Sequence, residues 1–415
     1  MVRVLDLYCG MGGLSLGIAL ALEDSEVHGI DIDSKAVATY NLNLNKFECC
    51  AEVADLLSWE PSRDYDVVVG GPPCQPFSIA NTIRMGEKHP LFPTFRRYFE
   101  LVRIIRPLAF VLENVKGLLT RRFRPLLEKQ LGSLTSDYCI RHAVLNAAHY
   151  GVPQRRERLI AVGVRKDIGA APVLPVPTHA EAEALTLTQH LHRWVTVREA
   201  IGDLLEAPPA VIRRERSDRQ KCMLCLLLSD HVMTEKGGST SGPWEWGRRI
   251  ISLDRPATTV TEKHRSGQLV EVPWTKYQDK HPPLNPDEPS RAVWSHVAKA
   301  SRDLLIPLDW PALAILSDNY LRPEGHHDGL SQRVFRRLTV RECMRLQSFP
   351  DWWRFPEAVS VSKKYKLVGE AVPPVLAYRI AVSLGKALGL ATREPPREEE
   401  WDLPYFRRAF ADYFT

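Results

Sequence analysis

The stretch VRVLDLYCGMGG, residues 2–13, decides the fold. Residues 2–8 read as a β-strand, because valine, leucine and tyrosine suit a pleated, buried surface. The strand runs into a turn bearing Gly10, Gly12 and Gly13, and apolar residues at Leu14, Leu16, Ile18, Leu20 and Leu22 follow as a helix. A strand that enters a glycine turn opening a helix is the first unit of a parallel sheet, with ligands bound at the carboxyl ends of its strands. Taken alone, such a turn fits a nucleotide or adenosyl site and a plain tight turn equally well.

Working outward, residues 27–31 form a second strand and residues 36–44 a helix. Short apolar runs at 66–69, 110–112 and 159–164 supply further strands. Strand and helix alternating in this way predict an α/β fold with a parallel sheet and right-handed crossovers. From about Asp167 the alternation becomes irregular, with prolines at 172, 175, 177, 208 and 209. Helical patterns return at residues 339–347 and 374–390. The expected organisation is therefore a catalytic α/β domain over residues 1–166, a smaller irregular domain inserted over 167–333, a return to the first domain over 334–391, and a tail over 392–415. Residues 393–400 are charged and proline-bearing and read as a solvated linker; residues 401–414 can form a short amphipathic helix, docked or free.

With 415 residues, two domains are the natural expectation. An apolar share of 44% and a charged share of 25% are those of a globular chain. No run of about 18 apolar residues is present, so no membrane span is expected, and the N-terminus lacks the pattern of a secretory signal. Eight scattered cysteines read as free thiols rather than a disulfide framework. Cys222 and Cys225 form a C-x-x-C without the second ligand pair that a closed zinc site needs, and no metal is predicted. A net charge of +5 permits a nucleic-acid partner without requiring one.

Several residues have the character of a chemical site. Asp31 ends the second strand, where a carboxylate can accept ribose hydroxyls, and Asp55 follows the next apolar stretch; both also read as solvated loop acids. In GGPPCQPFS, residues 70–78, prolines on either side stiffen a loop that presents one thiol, Cys74, at a strand end. That placement suits a nucleophile better than core filling. The polar stretch beyond it holds Arg84 and Lys88, as a lid over phosphates would. Glu113, in Glu113-Asn114-Val115, ends another strand, where a partly desolvated carboxyl can donate a proton. The run Gln154-Arg155-Arg156-Glu157-Arg158 is a solvated basic patch or a set of cations turned into the cleft.

Together these segments resemble the DNA cytosine-5 methyltransferase family, of the bacterial, archaeal and phage modification type. The glycine turn, P-P-C-Q, E-N-V, Q-R-R-E-R, RLTVRECMRLQSFP at 337–350 and GEAVPP at 369–374 occur in the family's order and spacing. The resemblance implies a Rossmann-like S-adenosylmethionine-dependent methyltransferase sheet with a smaller, irregular target-recognition domain inserted. It implies that Cys74 adds to C6 of a cytosine extruded from the duplex, that Glu113 holds or protonates N3, and that Arg158 binds the base oxygen with Arg156 in support. S-adenosylmethionine is the implied cofactor, with Tyr8 packed on adenine, Gly10, Gly12 and Gly13 around the methionine portion, Asp31 on the ribose, Asp55 on the adenine amino group, and Ala371 nearby. One departure stands out: the family usually carries asparagine where this chain has Glu370.

The family's middle region selects the target sequence, so resemblance assigns no residues there. Arginines beside glycine loops suit a major groove, and Arg248 and Arg249 are expected to touch DNA together with Ser78, Arg84 and Lys88. The implied partners are double-stranded DNA and, functionally rather than physically, a cognate restriction endonuclease; a cytoplasmic, nucleoid-associated monomer is expected. Three rival readings exist: a tRNA cytosine methyltransferase, an inactive DNA-binding regulator of the same fold, and a dinucleotide oxidoreductase. The long middle region argues against the first, intact Cys74, Glu113 and Arg158 against the second, and P-P-C-Q with Q-R-R-E-R against the third.

Overall fold

The computed structural model describes residues 1–77, 86–181, 185, 190–205, 290–291, 305–308, 334–337 and 339–414. Eight strands matter here: β1 (Val2–Leu7), β2 (Ser25–Asp31), β3 (Cys49–Val53), β4 (Val67–Gly70), β5 (Ala109–Val115), β6 (Tyr138–Asn146), β7 (Gln154–Arg155) and β8 (Glu157–Arg165). Seven of them build one sheet in the order β3-β2-β1-β4-β5-β8-β6. The first five are parallel, whereas β8 runs antiparallel to both β5 and β6. The chain winds outward from β1 to β3, then returns to place β4 on the other side of β1. A crevice opens at such a reversal, outside the carboxyl ends of β1 and β4.

Helices cover both faces. On one face lie α1 (Gly13–Ala21), α2 (Ser34–Leu44) and the late elements α6 (Val340–Leu346), α7 (Val361–Glu370) and α8 (Pro374–Leu388). On the other lie α3 (Phe92–Ile105) and α4 (Arg124–Gly132). The last helix returns to the first. A side chain at Gly17 would overlap Ala377 and the Pro374 carbonyl, so glycine lets α1 and α8 touch. Helix α6 starts with a reciprocal cap between Thr339 and Glu342, and Gly389, with φ of 70°, ends α8. The stretch Val361–Leu388 is long and apolar enough to cross a membrane, but its most apolar window is 83% buried and it breaks at Ala371, so it is core. Helix α5 (Val197–Leu205) also joins this side; Val195, Val197, Ala200 and Ile201 belong to the main core although they lie beyond residue 166.

Within the expected solvated linker at residues 393–400, Pro395, Arg397, Glu398 and Glu399 are exposed, but the start of the segment is fastened to the core. The Arg393 amide donates to the Ala21 carbonyl at 2.8 Å, and the Tyr378 hydroxyl donates to the Arg393 carbonyl at 2.6 Å. Two short helices follow, α9 (Glu398–Trp401) and α10 (Phe406–Ala409). Trp401 is fully buried, with its ring 5.8 Å from Tyr378 and 5.1 Å from Phe410. The charges stay on the rim, where Lys386 pairs with Glu394 at 2.7 Å, while the aromatic residues behind them bury their rings. Burying a large aromatic stabilises a fold by several kcal/mol, and Trp401→Ala is expected to cost about 3–5 kcal/mol. Urea unfolding of the two proteins tests this; a loss under ~1 kcal/mol would mean that the tail adds little to the fold.

Candidate active site

The glycine turn begins one residue beyond β1. Tyr8 has φ of 62° and Gly10 of 55°, so the backbone curls back before α1. A Cβ at Gly10 would meet nothing within 4 Å, which leaves that stretch of backbone open to the crevice. Gly12 and Gly13 are glycine for another reason: side chains there would overlap Leu44 and the Val372 carbonyl. Of the three glycines expected around a ligand, Gly10 is the one with open space beside it. Behind the turn, Asp6 is buried and accepts a 2.5 Å hydrogen bond from the Ser15 hydroxyl; burial pushes its carboxyl up to about 7.

Asp31, at the end of β2, accepts from the Gly10 amide at 2.9 Å and from the Asp33 amide at 2.8 Å. Burial raises its carboxyl above the usual range despite those bonds. Tyr8 donates its hydroxyl to the Thr94 carbonyl at 2.6 Å. Burial pushes its phenol up, and the nearby carboxylates of Asp55 and Asp31 add to the shift. Tyr8, Asp31 and Asp55 thus share one end of the crevice, with Asp55 exposed. An open glycine backbone, one half-exposed and one exposed carboxylate and a tyrosine form a donor and acceptor set that fits an adenosyl group.

Across the switch point, β4 delivers residues 71–77. The Asn114 side-chain amide donates to the Pro72 carbonyl at 2.9 Å, and the Phe77 backbone amide to the Cys74 carbonyl at 3.0 Å. A Cβ at Gly71 would stand 3.0 Å from Glu113 Oε2, so the loop lies directly beside the carboxylate that ends β5. Glu113 pairs with Arg158 at 3.0 Å, each side chain 13% exposed. Antiparallel pairing makes this contact, because β8 brings Arg158 opposite Val115, two residues beyond Glu113. Cys74 is half-buried. Burial pushes its thiol up to about 11; Arg158 and Arg156 draw it down, while Glu113 and Glu370 raise it. Thiol, carboxylate and two guanidinium groups therefore act on one another in a single cleft.

Arg156 is 1% exposed and donates to the carbonyls of Gly369, at 3.1 Å from either terminal nitrogen, and Ala371, at 2.9 Å. Gln347 joins it, donating to the Val368 carbonyl at 2.7 Å. Residues 213 and 215 positions away in sequence are thus tied to the thiol's cleft, a connection that the spacing of Q-R-R-E-R does not announce. Nor does the sequence mark Asn114 as the residue that anchors the thiol's loop, although it directly follows Glu113.

Glu370, the departure from the family pattern, ends α7 and pairs with Lys366 at 3.7 Å. It is 40% exposed, yet its charge reaches Cys74. Glu370→Asn is expected to leave methyl transfer within about tenfold, ~1.4 kcal/mol. It should also lower the pH at which Cys74 reacts with iodoacetamide, since one of two carboxylates raising that thiol is gone. Peptide-resolved alkylation against pH reads this; an unmoved profile removes Glu370 from the thiol's surroundings.

Lys88 lies exposed on the turn Gly86–Lys88. Ser78, Arg84, Arg248 and Arg249, and the Cys222–Cys225 pair, lie outside the described residues. The six described cysteines are free. Among the described residues no group of three or more His, Cys, Asp or Glu is disposed to hold a metal.

The model of the C-5 cytosine-specific DNA methylase family matches residues 2–386. The type II methyltransferase M.MthTI of Methanothermobacter thermautotrophicus is 32% identical over 337 residues, covering 80% of this chain and 83% of its own. M.HgiCII of Herpetosiphon aurantiacus is 35% identical over 431 residues, covering 93% and 96%. Among solved structures, the Entamoeba histolytica methyltransferase EhMeth superposes with a TM-score of 0.53 at 14% identity, over 94% of this chain and 99% of that one. The similarity in fold accords with the sheet described above, and the family match runs through every segment of the cleft. This protein belongs to the C-5 cytosine-specific DNA methylase family and is an enzyme that methylates cytosine in DNA at C5, using the methyl donor of that family, generally S-adenosylmethionine.

Proposed function

We propose that the protein methylates one cytosine within a short, specific duplex sequence through a covalent bond between Cys74 and C6 of the base. The observation that carries this reading is the grouping of Cys74, Glu113 and Arg158 beside the open glycine turn. Cytosine C5 is a poor nucleophile while the ring is aromatic. Adding a thiolate at C6 forms an S–C6 bond and pushes the ring electrons toward C5 and N3. In this proposal the Glu113 carboxyl donates a proton to N3 as that charge develops and takes it back when the adduct breaks down, while Arg158 holds the base oxygen. Arg156, bound to the Gly369 and Ala371 carbonyls, keeps the donor side of the cleft in register with the thiol.

The thiol proton leaves to solvent, and the two guanidinium groups favour the thiolate that remains. A bound S-adenosylmethionine supplies an electrophilic methyl group to the carbon that the thiolate has activated. Loss of the C5 proton and cleavage of the S–C6 bond then restore the aromatic ring and free Cys74. Tyr8, Gly10, Asp31, Asp55 and the Ala371 turn are the residues proposed to hold the donor, with Gly12 and Gly13 letting the turn pack. None of this is possible in a stacked base, so the cytosine is extruded, at a cost of a few kcal/mol that contacts in the cleft offset.

The relatives carry type II names, and the same class is proposed here: a cytoplasmic, monomeric modification enzyme whose product protects DNA from a cognate endonuclease. Bisulfite sequencing of DNA from a host lacking cytosine methylation, but expressing this chain, tests the reading. Protected cytosines are expected in one short context. Protection scattered over all contexts would remove the claim of specificity, and no protection from folded protein would remove the claim of DNA methylation.

A further inference from the structure

Immediately beyond Glu113 the chain carries the run KGLLTRRFR, residues 116–124. Lys116, Arg121, Arg122 and Arg124 are all exposed. Two of the four are neutralised locally: Lys116 pairs with Glu157, and Arg124 with Glu128 at 3.2 Å. Arg121 and Arg122 form no ion pair among the described residues. They are the two central residues of a turn closed by the Phe123 amide on the Thr120 carbonyl at 2.9 Å, and both are exposed.

This turn is fastened to the loop that carries the nucleophile. Phe123 is 2% exposed, and its ring packs edge-on against Phe77, three residues after Cys74, at 5.6 Å. The Arg122 guanidinium lies 5.3 Å from the centre of the same ring. Gly86 also abuts Phe123. The paired cations thus sit on the rim at the carboxyl ends of β4 and β5, where a duplex must lie for its base to reach Cys74. Two neighbouring guanidinium groups, with no acidic partner among the described residues, suit the spaced charges of a nucleic-acid backbone.

We propose that Arg121 and Arg122 grip phosphates of the duplex beside the extruded cytosine. This rests on the DNA reaction proposed above.

The test is duplex affinity measured against salt for the wild-type chain, Arg121→Ala/Arg122→Ala, and a control of equal charge change, Arg103→Ala/Arg407→Ala. Both control residues are exposed, and Arg103 lies in the last turn of α3, which leads to the opposite end of the sheet. Each phosphate contact contributes about 0.9 to the slope of log affinity on log salt. The slope of the rim variant should fall by roughly 1.8 and its Kd should weaken about tenfold or more at moderate salt, with the control unchanged. A rim variant whose slope equals that of the control overturns the grip alone. Wild-type protein without salt-dependent duplex binding overturns the grip and the proposed DNA reaction together. Matching thermal midpoints for the two variants show that both are folded.

Discussion

Cys74→Ser should lose at least about 10⁴-fold in single-turnover methyl transfer, ~5.4 kcal/mol of barrier, while binding duplex DNA as the wild type does. Burial already pushes the thiol up to about 11, and the two guanidinium groups of Arg158 and Arg156 work against that shift. A serine hydroxyl in the same place starts far less acidic than a thiol and is a poorer nucleophile toward C6. The cations that suffice for sulfur then leave almost no alkoxide. The covalent step has its own readout. A duplex with fluorine at C5 of the target cytosine cannot lose a proton from that carbon, so the adduct accumulates once methyl has transferred. Denaturing electrophoresis should show DNA fixed to wild-type protein and none fixed to Cys74→Ser. A serine variant that keeps more than a tenth of the wild-type rate would remove Cys74 from the chemistry.

How much is legible in the sequence depends on how far apart the interacting residues lie. The glycine turn, Cys74 and Glu113 each stand at the end of a short apolar run, and strand ends can be located from such runs because parallel strands are buried on both faces. The edge strand β6 is different: Cys139, Arg141 and His142 are exposed, so it has no apolar run to betray it. Contacts across the fold were equally hidden. The hydrogen bonds from Arg156 to residues 369 and 371 and the fit of Gly13 against Val372 exist only once α8 has folded back on α1. Even the glycine turn was only half legible, since its pattern does not separate Gly10, which has open space beside it, from Gly12 and Gly13, which are pressed against protein. At the C-terminus local composition was half a guide. Pro395, Arg397, Glu398 and Glu399 in the charged run at 393–400 are exposed, as their composition suggests, but Trp401, Tyr405, Phe406 and Phe410 beyond it are buried and dock the tail on the fold.

Glu113→Gln should move two observables in opposite directions, and that opposition tests whether the carboxyl acts on the base or only on its neighbours. Methyl transfer is expected to fall about 10²- to 10⁴-fold, the usual range for a positioned group that handles a proton or its charge. Glutamine keeps the size of the side chain but is neutral, so it cannot protonate N3 or carry the 3.0 Å ion pair with Arg158. The thiol should respond the other way. The Glu113 carboxylate raises Cys74, and its removal leaves Arg158 and Arg156 less opposed, so the thiolate forms at lower pH. Alkylation of Cys74 by iodoacetamide near neutral pH should therefore quicken in the variant whose methyl transfer slows. If Glu113 served only to tune the thiol, its loss would speed both reactions. If it served only to hold Arg158 in place, Arg158→Gln in a Glu113→Gln background would cost nothing further. Slower transfer with a more reactive thiol, and an added loss on removing Arg158, is the pattern expected of two groups that each touch the base.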